Sequence, residues 1–412
     1  MDEPAVRPAR GQRPDGAGTG LGLRRGPMDA LAMERRHLAQ VYGQLDLVPE
    51  RGDGVYLHCR GRRVLDLYGG HAVAALGYGH PELLAALNRQ AAELLFQSNA
   101  VPLPVRARAA DALAEFAPPG LARVFFVNTG AEANENALRL ACRLTGRQRV
   151  AAIEHGFHGR SAAAGAVTWG ARDRWYAFPR TPFDVDFIPR DDVAAVEQLV
   201  TGDTAAVILE LVQGIAGAVE LQPAFVQAVA RACERHGALL IVDEVQTGMG
   251  RCGAPFATDL YGLQPDILST AKSLAAGFPC GAVLMTEAVA SGLGKGDLGT
   301  TFGGGPLACA LVETVIRVIR RDGLIDNVNR LHARLAAALP LGPAASLQGR
   351  GFLAGLRLTR PAADVQRELL ARDILVGSSS DPMVLRLLPP LILADAQLDE
   401  LLEALADLPA GV

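Results

Sequence analysis

Two acids and a lysine stand out by type and spacing. Asp243 and Glu244 follow the apolar run at residues 238–242, and Lys272 closes a shorter run that begins with Ile267 and Leu268. The acid Asp243 and the lysine lie 29 residues apart. A lysine amine can condense with a carbonyl to an imine, whereas a permanently protonated guanidinium cannot. The chain has only two lysines, Lys272 and Lys295; the other 38 of its 40 Lys and Arg residues are arginines. If the chemistry is an imine, one of these two carries it. Lys295 lies in the polar stretch SGLGKGDLG and reads as solvated. Lys272 follows a buried-strand pattern, where desolvation favours the free amine. Taken alone, Asp243-Glu244 also fits a retaining glycosidase pair or a magnesium site, and a lone strand-end lysine is more often plain surface.

These side chains need elements to hold them. Short apolar runs bounded by Gly and Pro read as buried strands of a parallel sheet, whose functional groups collect at the strands' carboxyl ends. Strands are expected at residues 123–127, 150–154, 205–210, 238–243, 267–271 and 282–285, alternating with helices such as 225–236. That alternation predicts an α/β fold: a mostly parallel sheet covered by helices on both faces. Residues 128–130, Asn-Thr-Gly, form a turn between a strand and a helix. Free backbone N–H groups and a positive dipole end meet there, a site suited to phosphate.

The organisation is expected to be a disordered tail at 1–27, rich in Pro, Gly, Ala and Arg, then an N-terminal segment at 28–70 that packs with a small domain. A large domain at 71–306 and a C-terminal α+β small domain at 307–412 follow. A hairpin is expected within 54–68, with helices at about 79–95 and 105–116.

A net charge of −4 argues against a nucleic-acid surface. No apolar run approaches the ~18 residues that cross a bilayer. The six cysteines are scattered without CxxC spacing, which suits free thiols in a reducing compartment. The expectation is a cytoplasmic protein with no membrane or nucleic-acid partner and no bound metal; His155 and His158 have no carboxylate at matching spacing.

Four segments together resemble the class III aminotransferases, pyridoxal-phosphate enzymes of fold type I: NTGAEANE at 128–135, FHGR at 157–160, DEVQTG at 243–248 with Lys272, and TFGG at 301–304. The resemblance runs from about residue 40 to the C-terminus. It is nearest the acetylornithine/ornithine branch, including its relative acting on a carrier-bound lysine precursor. It implies pyridoxal 5'-phosphate as cofactor and Lys272 and Asp243 as catalytic residues, Lys272 for imine formation and proton transfer, Asp243 to keep the ring nitrogen protonated. It further places Thr129, Gly130 and Ala131 at the phosphate, Phe157 and Val245 on the two ring faces, Gln246 at the ring hydroxyl and His158 beside the cofactor. Thr301 is expected to reach the phosphate of a neighbouring subunit, in a homodimer with shared active sites. Arg160 and Arg386 are expected to bind substrate carboxylates, and Glu210, Ser98 and Asn99 to border the substrate.

The implied reaction moves the terminal amine of an ornithine- or lysine-like, free or N-acylated donor to 2-oxoglutarate. The alternative is a lyase, aminomutase or racemase of the same fold. One departure favours altered donor choice. The family reads EPVQGEGG where this chain reads ELVQGIAG at 210–217, so Ile215 replaces the glutamate that neutralises the substrate-binding arginine. A lesser departure is Gly305, where the family has asparagine.

Overall fold

The computed structural model describes residues 30–411. The expected tail at 1–27 lies outside them. The chain divides into two compact units, one ending at Val48 and one beginning at Pro49. In the first, a helix spans Ala30–His37, and Gln44 Nε2 donates to Glu34 Oε2 at 2.6 Å.

The second unit is built on a seven-stranded sheet. In chain order its strands are β1 (Arg123–Val127), β2 (Arg149–Ile153), β3 (Asp184–Ile188), β4 (Thr204–Leu209), β5 (Leu239–Asp243), β6 (Ile267–Thr270) and β7 (Gly281–Met285). Their spatial order is β1-β7-β6-β5-β4-β2-β3. Every neighbouring pair is parallel except those of β7, which runs antiparallel to β6 and β1. Residues 205–209, 240–243 and 267–270 are buried throughout, which is why 205–209, 240–242 and 267–268 read as continuous apolar runs rather than alternating ones. Fully burying each Val, Leu or Ile contributes roughly 1.5–3 kcal/mol.

The edge strand β3, Asp184–Ile188, has no counterpart among the expected strands. Its sequence, DVDFI, is only partly buried and carries two acids, so it lacks the apolar run that marks the inner strands.

Between β1 and β2 runs α1, Gly130–Thr145. Its start is specified locally. Thr129 Oγ1 accepts from Glu132 N at 3.1 Å, and the Glu132 carboxylate reaches back to Asn128 N at 2.8 Å. The helix ends on Gly146 in the left-handed conformation. Its inward face buries Ala133, Ala137, Leu138 and Ala141, together with one polar residue, Asn134.

The expected hairpin forms as Tyr56–Cys59 and Arg62–Asp66, and the expected helices as Pro81–Glu93 and Pro104–Phe116, each opening on proline. Arg62–Asp66 also pairs in parallel with Ile374–Leu375, so N-terminal and C-terminal residues share one four-stranded sheet. A separate three-stranded sheet holds Val384–Leu387 and hence Arg386. Among the described residues no helix is long and apolar enough to cross a membrane.

Candidate active site

The carboxyl ends of β1, β2, β4, β5 and β6 point to one edge of the sheet, as parallel strands must. Residues 128–130, 154–158, 210, 243 and 272 follow them there, so elements distant in sequence deliver one group each.

Asp243 is the last residue of β5 and only 3% exposed. Its Oδ2 accepts from Asn134 Nδ2 at 2.7 Å and lies 2.7 Å from His158 Nδ1, while Oδ1 accepts from Val245 N at 3.0 Å. Asn134 is held in turn. Its Nδ2 also donates to His158 O at 2.8 Å, and its Oδ1 accepts from Ser269 Oγ at 2.5 Å. Three hydrogen-bond directions thus fix the carboxylate in place. Asn134 lay inside a recognised motif, yet sequence reasoning gave it no role. The signal was there: a polar residue on the buried face of α1.

Glu210, one residue past β4, is 5% exposed and accepts from Phe157 N at 2.8 Å and Gly214 N at 3.2 Å. Burial raises its pKa, the Asp243 charge adds to that, and His158 and the two N–H donors oppose it. It holds the Phe157 backbone in place. Phe157 and Val245 are both half-buried.

Lys272 opens a short 3₁₀ turn, Lys272–Ala275, at φ +44°. A non-glycine residue in the left-handed region costs about 1–3 kcal/mol and persists only when its surroundings enforce it. One brace is visible: Ser273 Oγ donates to Ala72 O at 2.9 Å. Desolvation lowers the Lys272 pKa; Asp243 and Glu210 oppose the shift, and Arg386 and Arg251 add to it. The free amine is therefore more populated than on a surface lysine. Lys295 is exposed.

Two close approaches shape the cluster. A Cβ on Gly130 would meet Val245 Cγ1 at 2.6 Å, and one on Gly214 would meet Gln246 Oε1 at 1.5 Å. Glycine is required at both for the neighbouring side chains to stay where they are. Gln246 Oε1, His158 Nε2 and Thr270 Oγ1 are buried without hydrogen-bond partners among the described residues. The first-turn N–H groups of Gly130 and Ala131 have no carbonyl ahead of them in α1.

Arg386 is 3% exposed. Its Nε donates to Ser378 O at 2.6 Å and its Nη1 to Gly214 O at 3.3 Å, and the guanidinium lies 5.9 Å from the Tyr68 ring centroid. No carboxylate among the described residues forms an ion pair with it. Desolvation lowers its pKa against the pull of Tyr68 and Glu210. Ile215 follows Gly214 directly, and its carbonyl accepts from Ser380 N at 2.9 Å.

Beside Arg386 the structure places a pair that sequence reasoning missed. Gly69, Gly70, His71 and Ala72 all have positive φ and form a left-handed turn, and the Tyr68 hydroxyl hydrogen-bonds the His71 ring. Burial, Arg386 and Lys272 all lower the His71 pKa, which disfavours the charged ring.

Arg160 is exposed, with its guanidinium 4.7 Å from the Trp175 ring centroid. Ser98, Asn99 and Thr301 are not brought to this cluster by hydrogen bonds among the described residues. Asn99 Nδ2 donates instead to Thr300 O and Gly303 O at 3.3 and 3.0 Å, and Ser98 Oγ accepts from Ala100 N.

A mostly parallel sheet of this order, with an acid ending one strand, a lysine after the next and a helix N-terminus alongside, defines a pyridoxal-phosphate enzyme of fold type I. The chain belongs to the class III aminotransferases: the model of that family, "Aminotransferase class-III", matches residues 38–408. It is a transaminase, and pyridoxal phosphate is its cofactor. The chain is 38% identical to the acetylornithine aminotransferase of Archaeoglobus fulgidus over 377 residues, covering 91% of this chain and 99% of that one. It is 37% identical to acetylornithine aminotransferase 1 of Bordetella pertussis, covering 90% and 97%. Among solved structures, the ornithine aminotransferase of Toxoplasma gondii superposes with a TM-score of 0.84 at 30% identity, covering 91% of this chain and 92% of that one.

The residues present fit the cofactor. An acid pinned at the end of β5, a lysine of lowered pKa, an unpaired helix N-terminus and an unpartnered buried amide at Gln246 are the groups that its ring nitrogen, aldehyde, phosphate and hydroxyl require.

Proposed function

We propose that this transaminase moves the terminal amino group of an ornithine- or lysine-like donor, free or N-acylated, to 2-oxoglutarate. The cofactor, when bound, supplies an electron sink that accepts the amino group and passes it to the second substrate. Lys272 Nζ would hold the cofactor's aldehyde carbon and, as the free amine, would carry the proton at the substrate carbon. Asp243 holds the ring nitrogen protonated, with His158 and Asn134 fixing its carboxylate. Thr129, Gly130 and Ala131 hold the phosphate, Phe157 and Val245 flank the ring, and Gln246 meets the hydroxyl. Arg160 takes the donor carboxylate and Arg386 the acceptor's distal carboxylate, with Glu210, Ser98 and Asn99 bordering the substrate.

The observation that carries this reading is Arg386: a buried guanidinium with two carbonyl partners and no carboxylate leaves donors for a planar, bidentate anion. The acetylornithine aminotransferases among its relatives favour amino transfer over lyase, mutase or racemase chemistry.

The working arrangement is a cytoplasmic homodimer in which Thr301 serves the partner's phosphate. Supporting it, Thr301 is exposed, and Phe96 and the 66%-exposed Phe302 form an aromatic pair at 5.3 Å beside it. Residues 71–306 are read as a large domain and 307–412 as a small domain, and packing of the N-terminal segment with the small domain is supported by the sheet shared between Arg62–Asp66 and Ile374–Leu375.

The test is a pair of half-reactions. Acetylornithine, ornithine and lysine are each added alone, and conversion of the cofactor to its amine form is followed by absorbance. 2-Oxoglutarate or pyruvate is then added. The expected result is conversion by an ω-amine donor and return preferentially by 2-oxoglutarate, with Ile215→Glu weakening the 2-oxoglutarate step. No conversion by any of these donors, or equal return by pyruvate, contradicts the reading.

A further inference from the structure

Arg160 is an exposed cation whose contact is an aromatic face rather than an anion. Arg174, on the next segment, is turned back onto Trp169 O and Gly170 O at 3.1 and 3.0 Å. Arg190 Nη1 donates to Gln213 Oε1 at 3.2 Å. Arg160 has neither a hydrogen bond nor an ion pair among the described residues; its contact is the face of Trp175. It stands two residues beyond His158, which is fixed on Asp243, so its main chain starts from a rigid point.

The other half of the pair is equally well seated. Trp175 closes the four-residue helix Ala171–Arg174, and its N–H donates to Ala171 O at 2.9 Å. The indole is half-buried against an apolar cluster that includes Ala163, Ala166 and Tyr176. A guanidinium stacked on an aromatic ring gives up a face and none of its N–H groups, which all lie in its plane. An arginine on a free stem would have to lose its rotamer freedom when the substrate binds. One already stacked has lost much of it beforehand.

We propose that Trp175 is a specificity-determining positioning residue: its indole face holds the Arg160 guanidinium so that the in-plane N–H groups are presented to the carboxylate of an amino-acid donor. The proposal rests on the reading that Arg160 binds that carboxylate. The enzyme then distinguishes amino acids from simple amines through a residue that touches neither the cofactor nor the reacting atoms.

Four variants and one spectroscopic reading test it. Trp175→Leu should raise KM for the carboxylate-bearing donor by roughly three- to tenfold with kcat little changed. Trp175→Phe, which keeps a smaller face, should recover most of that. Neither should change KM for n-pentylamine, an amine without a carboxylate. In an Arg160→Ala background Trp175→Leu should have no further effect, because the two act as one unit.

The chain has two tryptophans, and Trp169 packs separately against His155 and Phe187. In a Trp169→Phe background, emission from Trp175 should shift when N-acetylornithine is titrated in and stay unchanged with n-pentylamine. This arm needs no change at Trp175, so it stands even where Trp175→Leu does not fold. An equal effect of Trp175→Leu with or without Arg160, or an emission that ignores the carboxylate, overturns the proposal. If Arg160→Ala itself leaves KM for the carboxylate donor unchanged, the reading of Arg160 fails and the positioning role fails with it.

Discussion

Asp243 and Arg386 are both charged and both 3% exposed, yet they are provided for very differently. Asp243 has Asn134, His158 and the Val245 N–H around it, and Ser269 holds Asn134 in turn. Arg386 has two carbonyls and a ring face. A buried ion without a counter-charge carries a desolvation burden of several kcal/mol. The acid's half of the site is therefore finished before any ligand arrives, as preorganised electrostatics requires. The arginine's half is left short by one anion. Ile215 makes the contrast sharper, since it puts an apolar side chain next to Gly214, whose carbonyl Arg386 holds. The acid's side is complete within the chain, and the arginine's side leaves N–H donors for an anion from outside it.

The largest effect should come from emptying the unsatisfied side. Arg386→Ala is expected to lower kcat/KM for 2-oxoglutarate by roughly 30- to 1000-fold, the range for truncating a buried partner of a charged ligand. The loss for pyruvate, which lacks the distal carboxylate, should be much smaller. Steady-state assays with both acceptors measure the difference, and equal losses would remove Arg386 from substrate recognition.

Loosening the finished side should cost less per contact. Asn134→Ala removes one charge-assisted hydrogen bond to Asp243 and leaves Ser269 unpaired. It is expected to lower kcat by roughly 10- to 100-fold with KM for either substrate little changed. A change confined to KM would mean that Asp243 does not depend on this support.

The smallest effect concerns stability and pH. Lys272 has a lowered pKa in the fold. Below that folded value both folded and unfolded chains carry the ammonium, and its burial counts fully against folding. Between the folded value and the ordinary lysine value the unfolded chain alone is protonated. Stability of the cofactor-free protein therefore rises with pH across that window, and the burden is gone above it. Lys272→Met should remove this dependence and raise the apo-protein's Tm at neutral pH. Unchanged pH curves for the two proteins would show that burial does not burden the amine.

Much of the cofactor side could be read from the sequence, because its residues sit in rigid local contexts. Continuous apolar runs reveal strands buried on both faces, and the residues after them must gather at one sheet edge. Asp243, Lys272 and the Gly130 turn were legible for that reason. The strand Asp184–Ile188 was not, since an edge strand with two exposed-type acids has no such run. Asn134 was marked by its place on the buried face of α1, but its partners Asp243 and Ser269 lie on strands that no spacing in the sequence ties to it. The Tyr68–His71 pair depends on four consecutive positive φ angles, which the letters Gly-Gly-His-Ala do not dictate. Trp175 reaches Arg160 from another loop, and no periodicity links them.

The central claim is that a finished acid-and-lysine half of the site receives the cofactor at Lys272. Borohydride reduction of the cofactor-saturated protein, followed by peptide mass mapping, tests it most directly because the chain has only two lysines. The account predicts a pyridoxyl adduct on Lys272 and none on Lys295, with the adduct lost in Lys272→Ala and kept in Lys295→Ala. An unmodified Lys272 in cofactor-saturated protein, or an adduct on Lys295 alone, would contradict it.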